Sequence, residues 1–178
     1  MHTCRFIFRV AEDGIRSLAA SLPSIAANPE DREARSEALY GGWIGGMVLA
    51  TVGMALHHKL CHALGGKCNL PHAETHAVVL PYAVAYNASA TDSAMRAIAG
   101  ALGHPDAHPS EVAGLLYDFE RRFQIPSSLK ELGMQASDLD EVAELVTTDS
   151  FYNPRMPKRS EIRRLLELAF RGERPELG

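Results

Sequence analysis

Five of the eight histidines in this 178-residue chain fall between positions 57 and 76, at spacings suited to helix faces. His58 and His62 are four apart and share one face, and His72 and His76 form a second such pair. His57 lies about 100° around the axis from His58 and points elsewhere. Converging imidazoles can ligate a divalent cation, hold a carboxylate when protonated, or pass a proton near neutral pH. His72 falls in the first turn of its predicted helix, where free backbone N–H groups favour an anion and oppose protonation of the ring. A single histidine beside an apolar helix is most simply a satisfied core or surface residue. Five within twenty positions argue against that for His58, His62 and His72, which are assigned to function. His57 and His76 are read as ordinary core or surface side chains, and His2, His104 and His108 as surface or turn residues.

Other reactive residues carry less. Cys61 precedes His62 and suits a low-pKa nucleophile or a buried structural thiol, and the second is the commoner use. Glu74 can orient one of the paired histidines, but a solvated carboxylate in a first turn is the simpler reading. No Ser–His–Asp or paired-carboxylate arrangement emerges with any specificity.

The elements that must position these side chains read as helix after helix. Ile15, Leu18, Leu22 and Ile25 follow helical spacing, with Pro23 kinking or ending the turn and Asn28-Pro29 closing it. Asp31 opens the next helix, which runs into an uncharged stretch, Ala38 to Leu56. A third helix carries His57, His58 and His62 until Gly65-Gly66 stops it. Pro71 sits where a helix can start, and a fourth spans His72 to about Asn87, kinked at Pro81. Thr91 to Leu102 is a shorter amphipathic helix. Ser110 caps one with Val112, Leu115, Leu116, Phe119 and Phe123 on one face. Ser137 and Asp140 form a capping box, and Lys158 to Arg171 closes the chain with Ile162, Leu165, Leu166, Ala169 and Phe170 inward. Residues 5 to 9 can form a short strand, but nothing around them builds a sheet. The expectation is an all-α, multi-helix bundle.

Composition narrows the function classes. A mix of 46% hydrophobic and 22% charged residues is globular rather than disordered. A net charge of -4 excludes a dedicated nucleic-acid binder. Cys4, Cys61 and Cys68 make no paired framework, which fits a reducing, cytoplasmic setting, and the first residues do not read as a signal peptide. The 19 uncharged residues from Ala38 to Leu56 reach membrane-spanning length and contain Gly41-x-x-x-Gly45 and Gly42-x-x-x-Gly46. Five glycines make that stretch borderline in hydropathy, so a buried central helix is expected and no membrane partner. Residues 40 to 45 miss the first glycine and the strand of a dinucleotide fingerprint, and Gly66-Lys67 lacks the rest of a phosphate loop. Arg155, Lys158, Arg159, Arg163 and Arg164 alternate with Glu161 and Glu167, as on a solvated face laced with ion pairs.

The run His58-x-x-x-His62, Leu64-Gly65-Gly66 and Pro71-His72 resembles the C-terminal helical domain of the iron-containing alcohol dehydrogenases. MALHHKLCHALGG and LPHAETHAVVLPYAVAYN are similar to the maleylacetate reductases within that superfamily, and the similarity extends over roughly residues 10 to 170. This resemblance implies reduction of the carbon–carbon double bond of maleylacetate by NADH or NADPH, giving 3-oxoadipate in aromatic-compound degradation. In metal-using relatives the positions of His58 and His72 are ligands for a divalent metal such as iron or zinc, and that of His62 lies beside the reacting centre. In maleylacetate reductases, generally held to work without metal, the resemblance makes His58, His62 and His72 the catalytic set. There His58 and His72, with Lys59, bind a small dicarboxylate and His62 delivers a proton. A dicarboxylate drawn out of water needs such compensating charge. The resemblance also implies a dinucleotide-binding α/β domain ahead of this region. Residues 1–9 are thus expected to be an atypical N-terminal segment and 10–178 the helical catalytic domain, in a truncated product whose cofactor domain is absent or supplied by a separate chain. Apolar surface left bare would favour a homo-oligomer. Tyr82 replaces a histidine common after the Leu-Pro pair, and Lys67-Cys68 are unusual there. Two alternatives remain: a metal-dependent alcohol dehydrogenase-type domain, and a standalone helical module that holds a metal or an anion.

Overall fold

The computed structural model describes residues 5–175, and eight α-helices make up most of them, with no strand among the described residues. They are α1 (Arg5–Ala27), α2 (Arg32–Thr51), α3 (Leu56–Cys68), α4 (His72–Asn87), α5 (Asp92–Ala101), α6 (Val112–Glu120), α7 (Leu139–Thr148) and α8 (Arg159–Arg171). The all-α expectation holds. Residues 5 to 9, the one suggested strand, form the first turns of α1. His2 and Cys4 lie outside the described residues.

The helices pack into two compact units, one of α1, α2 and α5 and the other of α3, α4, α6, α7 and α8. In the first, the side chain of Asp31 caps α2 by accepting from Ala34 N–H at 3.0 Å. α1 and α2 approach so closely that a Cβ on Gly14 would stand 2.5 Å from Ile44 Cγ2, and one on Gly41 would stand 2.7 Å from Leu18 Cγ. Of the four glycines in the two overlapping spacings, Gly41 alone serves this approach; a Cβ on Gly42, Gly45 or Gly46 would meet nothing.

The stretch from Ala38 to Leu56 is not one buried central helix. It breaks between Thr51 and Leu56, and α2 buries only Ala34, Gly41 and Ile44. Leu39 is 74% and Trp43 63% exposed. An uncharged run reports that apolar surface exists, not that this chain covers it. Among the described residues no single helix is long and apolar enough to cross a membrane.

The second unit holds the larger core. Leu56, Leu60 and Leu64 of α3, at a strict four-residue spacing, bury completely against Val79 of α4, Val142 and Val146 of α7 and Ile162 and Leu166 of α8. α3 does not stop at Gly65-Gly66. It runs to Cys68 and ends on Asn69, which takes the left-handed conformation at φ 50° that asparagine tolerates best after glycine. Pro71 then enters α4, which continues through Pro81 to Asn87. The box before α7 is formed by Gln135 and Asp138, not Ser137 and Asp140, because a 3-10 turn at Ala136–Asp138 leads the chain in and moves the cap upstream. Ser110 likewise falls inside a 3-10 turn, Pro109–Glu111, that precedes α6, and Phe123 lies beyond that helix. The basic residues near α8 pair as expected, Arg155 with Glu161 at 2.8 Å and Arg163 with Glu167 at 2.9 Å.

Candidate functional site

α3 and α4 pack against each other in the second unit, and the core residues of α3 fix which face of it turns outward. With Leu56, Leu60 and Leu64 buried, His58 and His62 emerge along the flank of the helix. Asn69 and Pro71 reverse the chain so that His72 starts α4 beside them. The ring centroids of His58 and His62 lie 6.2 Å apart, and those of His62 and His72 lie 6.4 Å apart with planes 20° from parallel. His62 and His72 are exposed and His58 is half-buried. The three histidines assigned to function from their spacing thus share one patch with an open side.

The sequence reading sets His57 and His76 aside, yet both belong to the cluster. His76 stands 4.4 Å from His72, 4.9 Å from His58 and 4.8 Å from His57, ring centroid to ring centroid. His57 donates from Nε2 to the carbonyl oxygen of His76 at 2.9 Å, which puts its lone pair on Nδ1. The signal for His76 is present in the sequence, since it lies four residues after His72 on the same face.

Burial and mutual repulsion decide the charge of this group. Burial lowers the His57 pKa, opposed by its bond to the His76 carbonyl. His58 is lowered by burial first and then by the neighbouring His62 and His72. His76 falls furthest, to about 4, again through burial and then the four surrounding imidazoles. His57, His58 and His76 therefore resist protonation while no countercharge is near. An anion at the open side offers countercharge and lets the rings take up protons.

Lys59, expected to add charge for a substrate, is engaged elsewhere. Its ammonium lies 3.5 Å from Asp149 Oδ2 and 5.8 Å from the Phe151 ring centroid. Cys61 is 1% exposed, and burial pushes its thiol up to about 12, the opposite of an activated nucleophile. Glu74 and His104 are exposed. Tyr82 is buried and donates to the Glu173 carbonyl at 2.9 Å. Glu120, which no sequence signal marks, is buried on α6 and its carboxyl is raised by desolvation to about 8 despite Arg121.

For a metal, His58 and His72 supply two nitrogen donors, and among the described residues no carboxylate or thiol joins them in a group of three. Iron sites of the common oxygenase type take two histidines and a carboxylate, and this pair would supply the histidines. With no strand among the described residues, there is no strand–turn–helix cradle for a pyrophosphate.

Comparison with known proteins supplies the wider frame. Residues 6–170 match the family model described as Fe-containing alcohol dehydrogenase family, C-terminal. A maleylacetate reductase from Rhizobium sp. (strain MTP-10005) is 46% identical over 167 residues, which is 94% of this chain and 46% of that protein. One from Burkholderia cepacia is 48% identical over 166 residues, 93% of this chain and 46% of that protein. The crystal structure of the Rhizobium enzyme superposes with a TM-score of 0.90 at 44% identity, covering 97% of this chain and 47% of that one. That of an iron-containing alcohol dehydrogenase from Corynebacterium glutamicum gives 0.87 at 39%, covering 96% and 47%. The chain therefore spans a little under half the length of the relatives it matches.

Proposed function

The chain belongs to the Fe-containing alcohol dehydrogenase family and corresponds to its C-terminal part, and from that premise we propose that it is the substrate-binding half of a maleylacetate reductase. The observation that carries the proposal is the joining of His58, His62 and His72 in one patch with an open side. Maleylacetate is an enone between two carboxylates. Its dianion matches a cluster of imidazoles that protonate when countercharge arrives.

In this reading His58 and His72 hold substrate carboxylate oxygens and His62, exposed between them, delivers a proton to the carbon beside the ketone. A reduced nicotinamide, NADH or NADPH, would supply the hydride to the other alkene carbon, and 3-oxoadipate follows from one hydride and one proton. The cofactor's pyrophosphate would be bound by the half of the relatives that this chain does not match, whether in the same polypeptide or a separate one. Half-buried His57 and His76 line the inner side of the site.

Reading the same positions as the metal centre of an alcohol dehydrogenase is less well supported. His58 and His72 would need further donors that the described residues do not place beside them.

The test is to mix the 178-residue chain with the unmatched half of the Rhizobium enzyme and follow oxidation of NADH or NADPH. Consumption of maleylacetate that needs both halves and is lost on His62→Asn supports the proposal. Turnover of simple aldehydes with no response to maleylacetate overturns it.

A further inference from the structure

Behind the open side of the cluster lies a second set of donors. His57, Cys61 and His76 each place a ligand-capable atom within 4.8 Å of the other two. His57 and Cys61 are four apart on one face of α3, and His76 meets them from α4. Three atoms no further apart than this lie at most about 2.8 Å from a common centre, against bonds of about 2.0–2.3 Å to zinc. Each side chain has to close by less than about 1 Å, within the reach of small χ adjustments.

Two observations besides proximity bear on this trio. Nε2 of His76 is buried and has no hydrogen-bond partner, an expensive state for an imidazole nitrogen and one that a cation would relieve. Nε2 of His57 donates to the His76 carbonyl at 2.9 Å, which leaves the lone pair on Nδ1. Metal-ligating histidines are oriented in this manner, with the second ring nitrogen donating to a carbonyl or carboxylate.

We infer that His57, Cys61 and His76 form a site for one borderline-soft divalent cation, of which zinc is the type, separate from the His58 and His72 positions. The donors are two neutral imidazoles and one sulfur, a set that selects against calcium and magnesium. On binding, the Cys61 S–H bond breaks, its proton passes to solvent and a sulfur–metal bond forms, with no change of oxidation state. Three protein ligands leave a fourth position for water or a small anion.

Cobalt(II) added to the metal-free chain tests the assignment, because a cobalt–thiolate bond absorbs in the near ultraviolet and a cobalt–imidazole bond does not. One equivalent of cobalt should raise this band, and zinc should displace it. Cys61→Ser should abolish it, His76→Gln should weaken cobalt binding at least tenfold, and the double variant His58→Asn, His72→Asn should retain it. The helical circular dichroism of each variant reports whether it folds. Should Cys61→Ser fail to fold, Cys61→Ala and His57→Gln carry the same comparison. Absence of the band in the folded parent chain, its survival in the Cys61 variant, or its loss in the His58, His72 variant with His76→Gln unaffected would each overturn the site.

Discussion

The ring of His76 stands 4.4 Å from that of His72 and 4.8 Å from that of His57, so a single side chain of α4 joins the exposed histidines to the buried ones. Protonating it there means adding charge to a partly buried ring among four other imidazoles. Its pKa accordingly drops from 6.5 to about 4.

This makes the metal-free chain acid-sensitive in a defined window. The folded state binds fewer protons than the unfolded chain between about pH 6.5 and pH 4, so stability is complete above 6.5 and falls as the pH drops toward 4. Partial exposure tempers the size, to about 2 kcal/mol for His76. Urea midpoints measured with chelator present should fall across that window, and His76→Gln should flatten the slope.

Glu120 works in the opposite direction. Its folded carboxyl is raised from 4.5 to about 8, so the folded state holds the extra proton and stability declines as pH rises through that interval. Glu120→Gln removes the titrating group. Its melting temperature should change little between pH 5 and 9 from this source and should exceed the parent's above pH 8, by the equivalent of about 2–4 kcal/mol.

The glycines of α1 and α2 should separate cleanly. Gly14→Ala and Gly41→Ala push a methyl group against Ile44 and Leu18 and should cost about 1–3 kcal/mol. Gly42→Ala, Gly45→Ala and Gly46→Ala meet open space, and each should stabilise α2 by up to about 1 kcal/mol. Urea denaturation of the five variants reads the difference directly.

In the reconstituted enzyme the three functional histidines should fail differently. His58→Asn and His72→Asn should mainly raise KM for maleylacetate, because they remove contacts to carboxylates present in ground and transition states alike. His62→Asn should mainly lower kcat, by about 10²–10⁴, the usual contribution of a positioned acid.

Much of this was legible in the residues alone. Pro71-His72 marks the start of α4 because proline suits a helix entry, and the i, i+4 pairs point to the cluster because helix geometry is local. What stayed hidden depends on neighbours distant in sequence. The spacing pairs His76 with His72, but only the packing of α3 against α4 brings it to His57 and His58. The run from Ala38 carries the composition of a buried helix, yet composition does not say whether a partner covers it, and Leu39 and Trp43 lie bare. The cap of α7 moved because a 3-10 turn and an α-helical turn use the same residue types at their entry. Glu120 gives no local sign of burial at all.

A dicarboxylate substrate should enter the patch formed by His58, His62 and His72. Proton–carbon NMR of the eight histidines during titration of the chain with maleylacetate examines that directly. Saturable shifts at His58, His62 and His72, in the direction of protonation, with His104 unmoved, are the predicted result. Shifts confined to His104 and His108, or none at any concentration, would contradict it.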